Sequence, residues 1–121
     1  MLKEDIGINL KFVGLNDDYS LDIDDLKSKL DDSVKMVSFT QVSNVTGQVF
    51  DLKSVDTMLT EVYGEQRPYF IVDSSQGVPH MKVNVAEIGC DFLFFTGHKL
   101  GADSGIGVLW GKGEHLLDLK S

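Results

Sequence analysis

Cysteine, proline and tryptophan are scarce in these 121 residues, with one, two and one of each. A lone cysteine, Cys90, cannot close an internal disulfide, which excludes a disulfide-stapled scaffold and suits a reducing compartment. It adjoins an apolar run and reads as a small core residue rather than a nucleophile. Basic residues are few: 11 Lys and Arg stand against 19 Asp and Glu, a net charge of -8. That balance argues against nucleic acid, because phosphate binding needs clustered Lys and Arg. No apolar run approaches the roughly 20 residues of a membrane helix, and no signal-like segment opens the chain. These absences predict a soluble, cytoplasmic protein with no membrane or nucleic-acid partner and no metal.

What remains is ordinary for a globular domain, with 42% hydrophobic and 25% charged residues. The length allows one domain, residues 1–121, burying roughly two-thirds of its unfolded surface. Paired acids at 17–18, 24–25 and 31–32 read as a solvated face plus helix N-terminal charge.

Strand and helix patterns alternate along the chain. Residues 8–15 (INLKFVGL) alternate loosely and read as a strand. Residues 21–30 carry Ile23, Leu26 and Leu30 on one helical face, with Ser20 or Asp22 as cap. Residues 34–40 form a second strand, and the polar segment 41–50 is neither helix nor strand. Asp51 caps a helix whose stripe is Leu52, Val55, Met58, Leu59 and Val62, stopped near Gly64 and barred from extension by Pro68. Residues 69–73 and 91–95 are strands with a short turn near 85–88 between them. A polar, glycine-rich loop, 97–105, leads to residues 106–110, and a possible helix begins near 114. This order predicts an α/β fold with a mainly parallel sheet covered on both faces. The loop before residues 106–110 is too short for a parallel crossover, so that strand is expected to run antiparallel to a neighbour.

Chemistry gathers after two of the strands. In open α/β sheets, ligands bind beyond the carboxyl ends of the strands. One such end carries Asp73-Ser74-Ser75-Gln76 and the other Thr96-Gly97-His98-Lys99. An amine, an imidazole, hydroxyls, a carboxylate and an amide facing one cleft suit pyridoxal phosphate, which needs a lysine and an acid for its ring nitrogen. Lys99 alone reads more simply as a solvated turn residue; the Asp73 segment tips the balance.

Three ordered segments, Ser43-Asn44-Val45-Thr46-Gly47, Val72 to His80, and Cys90 to Leu100, resemble the class V aminotransferase family. The resemblance spans essentially the whole chain, and within the family it is greatest to the SUF-type (group II) cysteine desulfurases. It implies a partial large domain of a pyridoxal-phosphate enzyme that mobilises sulfur from L-cysteine for Fe–S cluster assembly. By that resemblance Lys99 would form the internal aldimine and then shuttle protons. Asp73 would pair with the pyridine nitrogen, Gln76 with the phenolic oxygen, and Thr96 and His98 with the phosphate. Asn44 would contact the cofactor or the substrate carboxylate. His80 and His115 are left as structural or surface residues.

The chain also departs from the family. Members usually follow the lysine and leucine with an aromatic, a glycine and a proline; here Gly101, Ala102 and Asp103 should loosen the loop. Members are several times longer, and nothing here matches their earlier phosphate loop and ring-stacking histidine. Nothing matches their small domain, substrate arginine and catalytic cysteine either. Sulfur transfer needs such a thiol, so this chain is expected to be inactive or incomplete alone. Strands missing from the family's sheet leave edges that the segment 8–15 or another chain could fill, which predicts self-association or a complementary chain. A split enzyme and a non-catalytic interaction module are the alternatives. A nucleotide-binding Rossmann domain is disfavoured, since no glycine-rich fingerprint follows the first strand.

Overall fold

The computed structural model describes residues 7–118. Four strands, β1 (Met36–Thr40), β2 (Tyr69–Asp73), β3 (Phe92–Thr96) and β4 (Gly107–Gly111), lie in that order in one sheet. The first three are parallel, and β4 runs antiparallel to β3, as the short loop requires.

Helix α1 (Ile23–Lys29) starts where the Asp22 carboxylate accepts the Asp25 N–H. Helix α2 (Leu52–Tyr63) is capped by Asp51, which accepts from Ser54, and ends at Gly64, whose φ of +61° suits glycine. Two single-turn helices, α3 (Gly77–His80) and α4 (Val85–Ile88), connect β2 to β3, and α5 (Gly113–Asp118) follows β4. In α2, Leu52, Val55, Met58 and Leu59 are buried against Val37, Phe70, Val72 and Leu93 of the sheet. Each such side chain contributes roughly 1.5–3 kcal/mol on burial.

Two expectations are corrected. Residues 8–15 form no strand; Leu15 makes a single bridge to Leu21. The segment instead lies along α1, where Asp25 accepts from the Gly14 N–H and Lys11 pairs with Asp31. A strand exists only if its backbone groups find a ladder partner, and here side-chain bonds satisfy part of that need. Nor does the segment slide against β1, whose outer edge carries no ladder among the described residues.

The second correction concerns the faces of the sheet. Side-chain alternation puts Val37, Phe39, Phe70, Val72, Leu93 and Phe95 on the face packed by α2 and the 77–88 connection. The other face holds Met36 (59% exposed), Tyr69 (42%), Phe94 (38%) and Leu109 (57%). Helix α5 meets it, where the His115 ring packs edge-on to Tyr69 at 5.1 Å and beside Phe92. The cause is topological. The path β1 to β2 to β3 always steps in one direction, so right-handed crossovers leave both connections on the same side.

Candidate active site

Three parallel strands end together, and each exit carries residues singled out in the sequence. β1 leads into a small loop closed by a Val42–Val49 bridge, with Gly47 in a left-handed turn and Asn44 exposed at its tip. The Ser43 hydroxyl accepts from the Val45 and Thr46 N–H groups and shapes that tip. At the exit of β2, the half-buried Asp73 lies in register between Thr40 and Phe94 and accepts the Ser75 N–H at 2.8 Å. Gln76 immediately precedes α3 and is half-buried.

β3 ends at Thr96, whose hydroxyl shares a 2.6 Å hydrogen bond with His98 Nδ1. A 3-10 turn (Gly97–Leu100) follows and packs beside α3, carrying His98 and Lys99 exposed to solvent. Gly101 ends this turn in a left-handed conformation, where a side chain would be strained. Gly97 is enclosed: a Cβ there would sit 3.2 Å from the Ala102 methyl group.

The donor set suits the cofactor that the sequence suggests. One carboxylate, a hydroxyl–imidazole pair, an amine and two amides stand on adjacent strand exits, with a charge type for each part of a phosphorylated pyridine. None of these six residues lines either of the two best-formed hollows. One, of about 620 Å³, lies at the opposite end of the sheet beside Arg67, Asp56 and Lys112. The other is an apolar groove under Leu93, Phe95 and Trp110. At the carboxyl end Asn44, His98 and Lys99 are exposed, and Asp73, Gln76 and Thr96 are half-buried.

Two sets of residues escaped the sequence reading. At the amino end of the sheet, Asp91 (3% exposed) accepts from the Phe70 N–H, Arg67 and Lys112 at 2.6–3.0 Å. Arg67 also donates to Asp56 at 2.5 Å and to the Gly89 carbonyl at 2.9 Å. Burial pushes the Asp91 carboxyl up, but the Lys112 ammonium, the Phe70 N–H and Arg67 outweigh it and hold the group below the usual carboxylate range. A charged residue inside the apolar stretch Cys90 to Phe95 was the available signal. The second set is Gln41, polar and buried, with Ser74, which the sequence put among the hydroxyls of the cleft and the structure buries against Gln41. Cys90 is fully buried, and burial pushes its thiol up to about 11; it is the core residue that the sequence suggested.

The class V aminotransferase family model matches residues 1–121. The chain belongs to that family. It is 37% identical to a probable cysteine desulfurase of Halalkalibacterium halodurans over 91% of its own length and 26% of that protein's. It is 40% identical to a cysteine desulfurase of Dickeya dadantii over 96% of its length and 27% of that protein's. The solved apo cysteine desulfurase of Thermococcus onnurineus superposes with a TM-score of 0.77 at 31% identity, covering 93% of this chain and 27% of that one. The chain thus spans about a quarter of the length of the relatives it matches. These likenesses accord with the mixed, mostly parallel sheet flanked by helices.

Proposed function

We propose that this chain is the cofactor-carrying core of a pyridoxal-phosphate enzyme of the cysteine desulfurase kind, SUF-type, acting in the cytoplasm on L-cysteine in support of Fe–S cluster assembly. The observation that carries this reading is the convergence of the Asn44 loop, Asp73–Gln76 and Thr96–Lys99 on one end of three parallel strands.

Asp73 would hold the ring nitrogen, Gln76 the ring oxygen, and Thr96 and His98 the phosphate, with Asn44 beside cofactor or substrate. When bound, pyridoxal phosphate supplies an electron sink for a carbanion at the substrate α-carbon. The chain's own work is then to bind, orient and move protons. The Asp73 carboxylate keeps a proton on the ring nitrogen through an opposite charge. The Thr96–His98 bond fixes the imidazole for an anionic group. Lys99 Nζ would hold the cofactor and, as an amine, would move a proton at the substrate's reacting atoms. Sulfur transfer also needs a reactive thiol, and the buried, raised Cys90 does not supply one. Alone, these 121 residues are therefore a cofactor platform without turnover.

A second reading has its own support: the chain works as one piece of an assembly. The sheet face with the exposed Met36, Tyr69, Phe94 and Leu109, and the β1 edge, unpaired among the described residues, are surfaces that a second copy or a complementary chain would cover. Sedimentation at micromolar concentration is expected to show self-association, and a clean monomer would refute that part.

An absorbance titration with added pyridoxal phosphate tests the main reading. A new band near the visible edge should appear, vanish in Lys99→Ala and survive in variants of other lysines. A band unaffected by Lys99→Ala would end the reading.

A further inference from the structure

Gln41 (6% exposed) and Ser74 (fully buried) are the buried polar residues that neither the core nor the chemistry above has used. The Ser74 hydroxyl donates to Gln41 Oε1 at 2.5 Å. Every backbone group of the pair is also engaged. The Gln41 N–H donates to the Asp73 carbonyl at 2.8 Å, and its own carbonyl accepts from Phe50 at 3.0 Å, closing the Asn44 loop. The Ser74 N–H donates to the Phe94 carbonyl at 2.8 Å, and its carbonyl accepts from Val78 at 2.9 Å, starting α3. Two residues thus join the exits of β1, β2 and β3.

The junction is sealed by Gly77. A Cβ at that position would lie 2.1 Å from Gln41 Oε1 and 2.5 Å from Ser74 Oγ. Glycine is required there by close approach, since its φ is not left-handed. Burying this polar pair costs desolvation that its mutual hydrogen bond offsets, so loss of either partner leaves the other buried and unsatisfied.

We propose that the Gln41–Ser74 hydrogen bond is a positioning clamp that sets the Asn44 loop against the Asp73–Gln76 turn. Gln41 and Ser74 are positioning residues: they hold the spacing between Asn44 and Gln76 for a phosphorylated ring bound at the carboxyl ends. The ligand class rests on the function proposed above; the clamp itself is a statement about two loops.

The test measures amide hydrogen exchange and pyridoxal phosphate affinity on the 121-residue chain. Ser74→Ala deletes the donor with little change of volume, Gln41→Met deletes the acceptor, and Gln41→Glu keeps an acceptor oxygen. In Ser74→Ala and Gln41→Met, exchange in residues 43–48 and 74–78 should speed about tenfold, the effect of losing one buried hydrogen bond. Exchange at Asp91 and Lys112 should not change. Affinity for pyridoxal phosphate should fall by a similar factor, the double variant should add nothing to either single one, and Gln41→Glu should restore protection. A uniform rise at both ends of the sheet, or additive single effects, would overturn the clamp. If the unaltered chain binds no pyridoxal phosphate, the proposed function falls, and the exchange pattern still decides the clamp.

Discussion

The two ends of the sheet are built on opposite principles. At the amino end, Arg67, Asp56, Asp91 and Lys112 satisfy one another, with Asp91 and the Arg67 side chain largely withdrawn from water. At the carboxyl end, Asn44, His98 and Lys99 are exposed, and the Lys99 ammonium has no ion pair among the described residues. Charges that complete each other inside the chain serve the fold. Charges and amides left facing outward on converging strand exits are not spent on the fold, and the proposed function assigns them to a ligand. The contrast separates residues that hold the structure from residues that the structure holds out.

The sharpest way to break the comparison is Asp91→Ala. It takes from Lys112 its carboxylate and from Arg67 one of two, Asp56 remaining, and it frees the buried Phe70 N–H. A loss of about 3–5 kcal/mol is expected from urea unfolding, whereas Asp73→Ala should cost under about 1 kcal/mol. Equal losses would erase the distinction. Next comes Gly89→Ala, at φ +82° and with a Cβ only 2.2 Å from the Asp56 carboxylate. The left-handed backbone alone costs about 1–2 kcal/mol, and displacing Asp56 from Arg67 adds to it. A neutral result in the same unfolding assay would show that this corner is looser than drawn.

Acid sharpens the contrast further. Because the folded-state carboxyl of Asp91 is lowered, its stabilisation is complete above the unfolded value near 3.9 and is lost as pH falls through the folded value. The urea midpoint should drop on acidification below about pH 4, with a shallower acid limb in Asp91→Asn. An unchanged limb in that variant would assign the acid sensitivity elsewhere. The smallest effect belongs to the carboxyl end: Lys99→Ala should shift stability by no more than about 0.5 kcal/mol. A larger loss would make Lys99 part of the scaffold.

Much of this was legible in the residues, for reasons that differ by element. Residues 69–73 announced a strand because an apolar run follows Pro68 and ends in polar turn residues, and the strand is Tyr69–Asp73. The Asp51 cap and four members of the α2 stripe were readable because both are local, whereas Val62, also expected in the stripe, is 45% exposed. Residues 8–15 had a strand's composition without a partner, and pairing is not a property of one segment. The bare face was hidden because it depends on the direction in which successive strands are added. Arg67 and Asp91 are separated by 24 positions, and Gln41 and Ser74 by 33, so no local pattern could join them. The carboxyl-end residues were proposed from their motif, and the convergence of their strand exits followed from the parallel order.

The most direct test of the central claim is borohydride reduction of the chain with pyridoxal phosphate, followed by peptide mapping. If the exits of β2 and β3 frame one ring between Asp73 and Lys99, the pyridoxyl group will be found on Lys99, and Asp73→Ala will diminish it there. Label spread over surface lysines in proportion to their exposure, and indifferent to Asp73, would contradict the account.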